Sequence, residues 1–271
     1  MKLLFLFSAL GLSAVAWAAA PAGQVVWKAG FENGDCFPEI KNFGRDVAQK
    51  VKGVPSPFVD VTWQSAITHS GKYAERAHTT RDPNNLTKDS SHRGYCFQSW
   101  RSTNGKPIPT PLVVTAWVYL EAYDSRDWLS FITLISTKSS DEYPSGSILT
   151  VDMVPSMELT VWVQPRHQLG PAFHVQQTVA PKAKVPLKKW VKLQTYVDWN
   201  GPEGALRVWQ DDVLIIDASK IDIGPKSTLE KGHFGLYAGP NLNEITLYND
   251  DLSVETISGA AEAMPQRHGW H

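Results

Sequence analysis

Gly232-His-Phe-Gly-Leu-Tyr-Ala-Gly-Pro-Asn-Leu-Asn-Glu-Ile-Thr-Leu-Tyr-Asn-Asp-Asp-Leu-Ser-Val-Glu255 is the stretch whose reading decides the fold. Phe234, Leu236 and Ala238 alternate with Gly235, Tyr237 and Gly239, a period of two that puts one set on each face of a β-strand. A Pro-Asn-Leu-Asn turn follows. Ile245 and Leu247 then resume the alternation, and Leu252 and Val254 carry it to the end of the folded part. The segment predicts the closing pair of strands of a β-sandwich.

Working back along the chain, residues 112–120 are the clearest strand. Leu112, Val114, Ala116, Val118 and Leu120 share one side, the core side, and Val113, Thr115, Trp117 and Tyr119 the other. Rings mixed with a hydroxyl read as a solvent-facing sugar platform or as a sheet face covered by a loop. Residues 94–100 alternate in the same way, with Cys96, Gln98 and Trp100 opposite Tyr95 and Phe97; either both faces are covered or one lines a site. Strands are also predicted at 58–63, 73–77, 128–136, 147–154 and 158–164, the last with Thr160, Trp162 and Gln164 opposite Leu159, Val161 and Val163. Residues 190–216 read as a three-stranded meander. Residues 36–57 are punctuated by glycine and proline and predict a long loop with one helical turn at 46–50. Residues 165–174 form a connection carrying His167 and His174, and loops placed by a rigid sheet are where binding groups concentrate.

Lys2, the apolar run that follows it and the small residues up to Ala20 predict a secretory signal over 1–20. The domain expectation is then one sandwich over 21–257 and a tail over 258–271, in a secreted or periplasmic protein without a membrane span. The formal net charge is −1, from 26 basic and 27 acidic residues. With no basic run, that balance argues against nucleic acid as a partner. The two cysteines, Cys36 and Cys96, suit a disulfide in an oxidising compartment, the plainer alternative being two buried thiols.

The wording of both ends resembles the concanavalin A-like lectin/glucanase superfamily, where a segment like Gly-x-x-Gly-Leu-Tyr-Ala precedes x-Asp-Asp-Leu-x-Val. Val25-Val-Trp-Lys-Ala-Gly-Phe-Glu-Asn-Gly-Asp35 resembles the first strand of that superfamily, and 190–199 with 206–215 its hairpin. The resemblance implies an all-β jelly-roll β-sandwich of two antiparallel sheets and carbohydrate as the ligand class. It also implies a structural calcium ion where the first strand meets the last, with Glu32, Asn33, Asp35 and Asp251 as hard oxygen ligands. A weaker similarity is to the jelly-roll polysaccharide lyases. Phe234-Gly-Leu-Tyr237 matches the Gly-x-Tyr part of their C-terminal strand, Arg93 occupies the region of an early-strand arginine, and their Gln-x-His motif is absent.

Spacing excludes several chemistries. A retaining glycosidase on this fold needs two carboxylates about 5 Å apart, and no strand carries such a pair. No Gly-x-Ser-x-Gly turn and no His-Glu-x-x-His is present. The expectation is therefore a carbohydrate-binding jelly roll that recognises or acts on a polysaccharide through Gln98, Trp117, Tyr119, Trp162 and Gln164. The first alternative is a polysaccharide lyase acting by β-elimination on a uronate-containing glycan, with Tyr237 and His167 as catalytic groups. The second is a structural or adhesive envelope protein. A groove bringing His, Tyr and Arg or Gln together favours the lyase, and aromatic rings alone favour the binding protein.

Overall fold

The computed structural model describes residues 20–32, 45–48, 50–51, 54–55, 57–83, 91–100, 106–137, 146–165, 171–178 and 182–257. Most of the expected leader and all of the expected tail lie outside these residues. The strands are β1 (Gln24–Ala29), β2 (Arg45–Ala48), β3 (Lys50–Val51), β4 (Val54–Pro55), β5 (Val59–Gln64), β6 (Ala74–Thr80), β7 (His92–Ser99), β8 (Ile108–Pro109) and β9 (Leu112–Ser125). They continue with β10 (Leu129–Ser136), β11 (Ile148–Met153), β12 (Leu159–Gln164), β13 (Phe173–Val175), β14 (Trp190–Asp198), β15 (Ala205–Gln210), β16 (Val213–Ser219), β17 (Thr228–Ala238) and β18 (Leu242–Thr256).

Two antiparallel sheets result. Sheet A has the order β16-β15-β14-β9-β18-β6-β5 with β1 also on β18, and sheet B the order β13-β12-β11-β10-β17-β7-β2 with β8 also on β17. β14, β15 and β16 are the expected meander. The closing strands β17 and β18 are consecutive in the chain but belong to opposite sheets, so the turn between them crosses the sandwich instead of closing a hairpin. The expected helical turn at 46–50 is also replaced, by β2, which pairs with the edge of β7. An open strand edge presents a row of backbone donors and acceptors, and pairing with it satisfies more of them than one isolated helical turn would.

The core lies between the sheets. Leu112, Val114, Ala116, Val118 and Leu120 of β9 are fully buried, and they face Leu149, Val151, Leu159, Val161, Phe234 and Leu236 of sheet B, which are equally enclosed. Each such side chain contributes about 1.5–3 kcal/mol relative to exposure, so this alternation fixes which face of every strand turns inward. At one end the Trp27 ring meets Trp100 edge-on at 5.5 Å and stacks on Phe234 at 5.7 Å. What remains is the outward face of each sheet.

Candidate active site

The outward face of sheet B is concave and encloses a cavity of about 440 Å³. Strand parity decides what lines it. In β17 the inward set Phe234, Leu236 and Ala238 leaves His233 and Tyr237 facing out; in β7 the inward Gly94, Cys96 and Gln98 leave Arg93, Tyr95 and Phe97. In β11 and β12 the outward residues are Ile148, Thr150 and Asp152, and Thr160, Trp162 and Gln164.

Register then places these residues in rows across the strands. One row runs Trp162–Thr150–Thr133–His233–Phe97, and its neighbour runs Thr160–Asp152–Ser130–Tyr237–Arg93. Ser130 and Thr133 are three residues apart and would ordinarily face opposite ways. A register shift between Ser130 and Ile132 inserts the extra residue that keeps both in these rows, a common use of bulges beside functional sites.

The two rows, with the Tyr95–Gly235 pair that lies between them, bring four polar side chains together on β7 and β17. The His233 ring stacks on Tyr95 with centroids 4.5 Å apart and planes 6° apart, and it meets Phe97 at 5.2 Å. Burial, then the cations Arg93 and Lys231, push the His233 imidazole down to about 4. It is therefore neutral at neutral pH, with a ring nitrogen able to accept a proton. Burial pushes the Tyr95 phenol up, against the opposing pull of Arg93, so it stays protonated. The Arg93 guanidinium lies 5.2 Å from the centre of the Tyr237 ring, and Tyr237 packs edge-on against Trp128 at 4.8 Å. Tyr237 is more open to solvent than Tyr95, while Trp128, Trp162 and His174 also line the cavity.

Asp152 is the one carboxylate lining this groove among the described residues. It is only 5% exposed. Burial raises it to about 6, outweighing the hydrogen bonds from Thr150 and Ser130 that favour its charged form.

The sequence-predicted residues are divided by this geometry. Tyr237 and Trp162 line the groove, and Gln164 lies in the next row, opposite Ile148. Gln98 faces the interior with no exposure and does not line the groove. It shares parity with Cys96 and Trp100, whose burial turns that side of β7 inward. Trp117 and Tyr119 lie on the outward face of β9 in sheet A, so no single face carries them together with Trp162. The Trp117 ring is capped by His69, stacked at 3.6 Å. His69 is in turn held by Asp251 Oδ2 at 2.6 Å. Tyr119 leans on Trp190 at 5.5 Å and on Tyr248 at 5.7 Å. The 69–72 loop thus caps part of this face, while Thr115 and Trp117 still line a cavity of about 630 Å³ beside it. His167 lies outside the described residues, as do Asn33 and Asp35.

Of the expected calcium ligands, Glu32 accepts the Lys72 backbone N–H on both oxygens at 3.0 and 2.9 Å. Asp251 accepts Ser70 Oγ at 2.8 Å as well as His69. Both carboxylates thus anchor the 69–72 loop. Among the described residues no three His, Cys, Asp or Glu side chains form a group that could hold a metal ion.

Sequence reasoning passed over Arg93, Tyr95 and His233 as a group. The usable signal was the outward set of residues 94–100, which includes Tyr95, read together with the parity of Tyr237.

No family model and no curated protein sequence matches the chain. Its fold does match solved structures. An endo-β-1,4-glucuronan lyase from the fungus Trichoderma reesei superposes with a TM-score of 0.60 at 12% identity, over 86% of this chain and 96% of that one. Cip1, a cellulose induced protein, gives 0.57 at 15% identity, over 85% and 97%. SCLam, a non-specific endo-β-1,3(4)-glucanase from family GH16, gives 0.55 at 11% identity, over 88% and 92%. With two antiparallel sheets and these matches across most of its length, the chain has the concanavalin A-like jelly-roll fold.

Proposed function

We propose that this protein is an exported polysaccharide lyase that cleaves a uronate-containing glycan by β-elimination. The observation that carries the reading is the convergence of Arg93, Tyr95, His233 and Tyr237 on two adjacent strands of one groove. β-Elimination needs a cation against the uronate carboxylate, a base for the proton at C5 and an acid for the glycosidic oxygen at C4. Arg93 is the cation. Neutral His233 is the base, and Tyr237, the more accessible phenol, gives its proton to the leaving oxygen. The C5–H and C4–O bonds break and a C4=C5 double bond forms; the proton on His233 returns to Tyr237 through solvent. Tyr95, between Arg93 and His233, positions both.

The groove favours elimination over hydrolysis because Asp152 is its one described carboxylate, whereas hydrolysis by either stereochemical route uses two. A polysaccharide ligand is consistent with the rings of Trp128 and Trp162 and with the activities of the structurally similar glucuronan lyase and GH16 glucanase.

The test is ultraviolet detection of unsaturated product from a panel of uronate polymers. Tyr237→Phe and His233→Ala should each lower kcat by about 10²–10⁴-fold, with binding retained. Binding by the wild type without product from any polymer would return the assignment to a carbohydrate-binding protein.

A further inference from the structure

Asp152 has no place in the elimination, yet it is built into the groove. It sits in the same cross-strand row as the reacting groups, Asp152–Ser130–Tyr237–Arg93. Three inter-strand spacings separate its strand from that of Arg93, about 14 Å, the length of a short run of sugar rings. Asp152 Oδ1 is buried and has no hydrogen-bond partner among the described residues. A buried carboxylate oxygen without a donor is costly. Sequence and register hold it there all the same, at the wall of a cavity.

The two ends of this row differ in charge. Arg93 attracts an anion, whereas Asp152 repels one and accepts a hydrogen bond. Sugars at the two ends of a bound run therefore meet opposite requirements. A uronate at the Asp152 end would set two carboxylates against each other in a site of low dielectric, where like charges cost most. A hydroxyl of an uncharged sugar would instead supply the missing donor. From this we infer that Asp152 forms a subsite for a neutral sugar at the opposite end of the row from the uronate site, and that the substrate is a polymer in which uronates are joined to uncharged sugars, not a polyuronate. The inference rests on the lyase reading for the placing of the uronate at Arg93.

Binding and cleavage are measured separately, above the titration of Asp152, with two all-uronate polymers, glucuronan and polygalacturonate, and two mixed ones, hyaluronan and gellan. Affinity electrophoresis reports binding and ultraviolet absorbance reports elimination, for wild type and for Asp152→Asn with the same circular dichroism. The wild type should prefer one or both mixed polymers by about tenfold or more. Asp152→Asn should narrow that ratio, chiefly by improving binding of the all-uronate polymers. A wild-type preference for all-uronate polymers, or a ratio unchanged in Asp152→Asn, overturns the subsite even if product forms. Mixed-polymer preference without product from any polymer supports the subsite and removes the lyase reading. Absence of binding to all four overturns both.

Discussion

Half-buried His233 and buried Asp152 line one groove with opposite consequences for pH. The Asp152 carboxyl titrates at about 6 in the folded protein against 3.8 for a free carboxyl, so between those values the native state holds the extra proton and stability falls as pH rises. His233 titrates at about 4 against 6.5, so between those values the unfolded state holds the extra proton and stability falls as pH falls. Each shift is worth up to about 3 kcal/mol, and over roughly pH 4 to 6 the two oppose one another. Asp152→Asn should remove one side of the balance. Its melting temperature should gain on that of the wild type as pH is raised from 4 to 6, and His233→Gln should show the reverse trend. Parallel curves for wild type and Asp152→Asn would mean that Asp152 is not buried as described.

At the scale of elements, the site depends on how β17 passes between β7 and β10. Gly235 adopts φ 132°, a conformation other residues adopt at a cost of about 1–3 kcal/mol. A Cβ there would stand 2.7 Å from Glu75 Oε1 and 2.9 Å from both Gly94 O and Tyr95 Cα. Gly235→Ala should therefore lower the denaturation midpoint and, by displacing Tyr95, lower activity by more than the loss of folded protein explains. Equal midpoints for the two proteins would contradict the close approach. The strands themselves were legible: the alternation of 112–120 and 158–164 fixed which residues point inward, because burial tolerates no one-residue slip. What alternation could not say was which sheet a strand joins. Trp117 and Trp162 have the same local pattern, yet one faces a loop on sheet A and the other the groove of sheet B. The group Arg93, Tyr95, His233 and Tyr237 was hidden for the same reason. It is created by the pairing of β7 with β17, residues more than 130 positions apart in the chain, and no local period reports such a pairing.

For the molecule as a whole, the core supplies the stability and the proposed export bears on its redox state. Cys96 is fully enclosed between the sheets, and Cys36 lies outside the described residues. We propose that the two are bonded in the exported protein, closing a loop of about 60 residues and adding about 4 kcal/mol in the chain-entropy model. Alkylation in denaturant without reductant should then label neither cysteine, and labelling of both would contradict the bond. The central claim is elimination in the groove of sheet B. It is tested most directly by digesting a uronate polymer in heavy-oxygen water and weighing the products. The account predicts unsaturated ends on the new fragments and no heavy oxygen at the broken bond. Saturated fragments carrying heavy oxygen at their new reducing ends would contradict it.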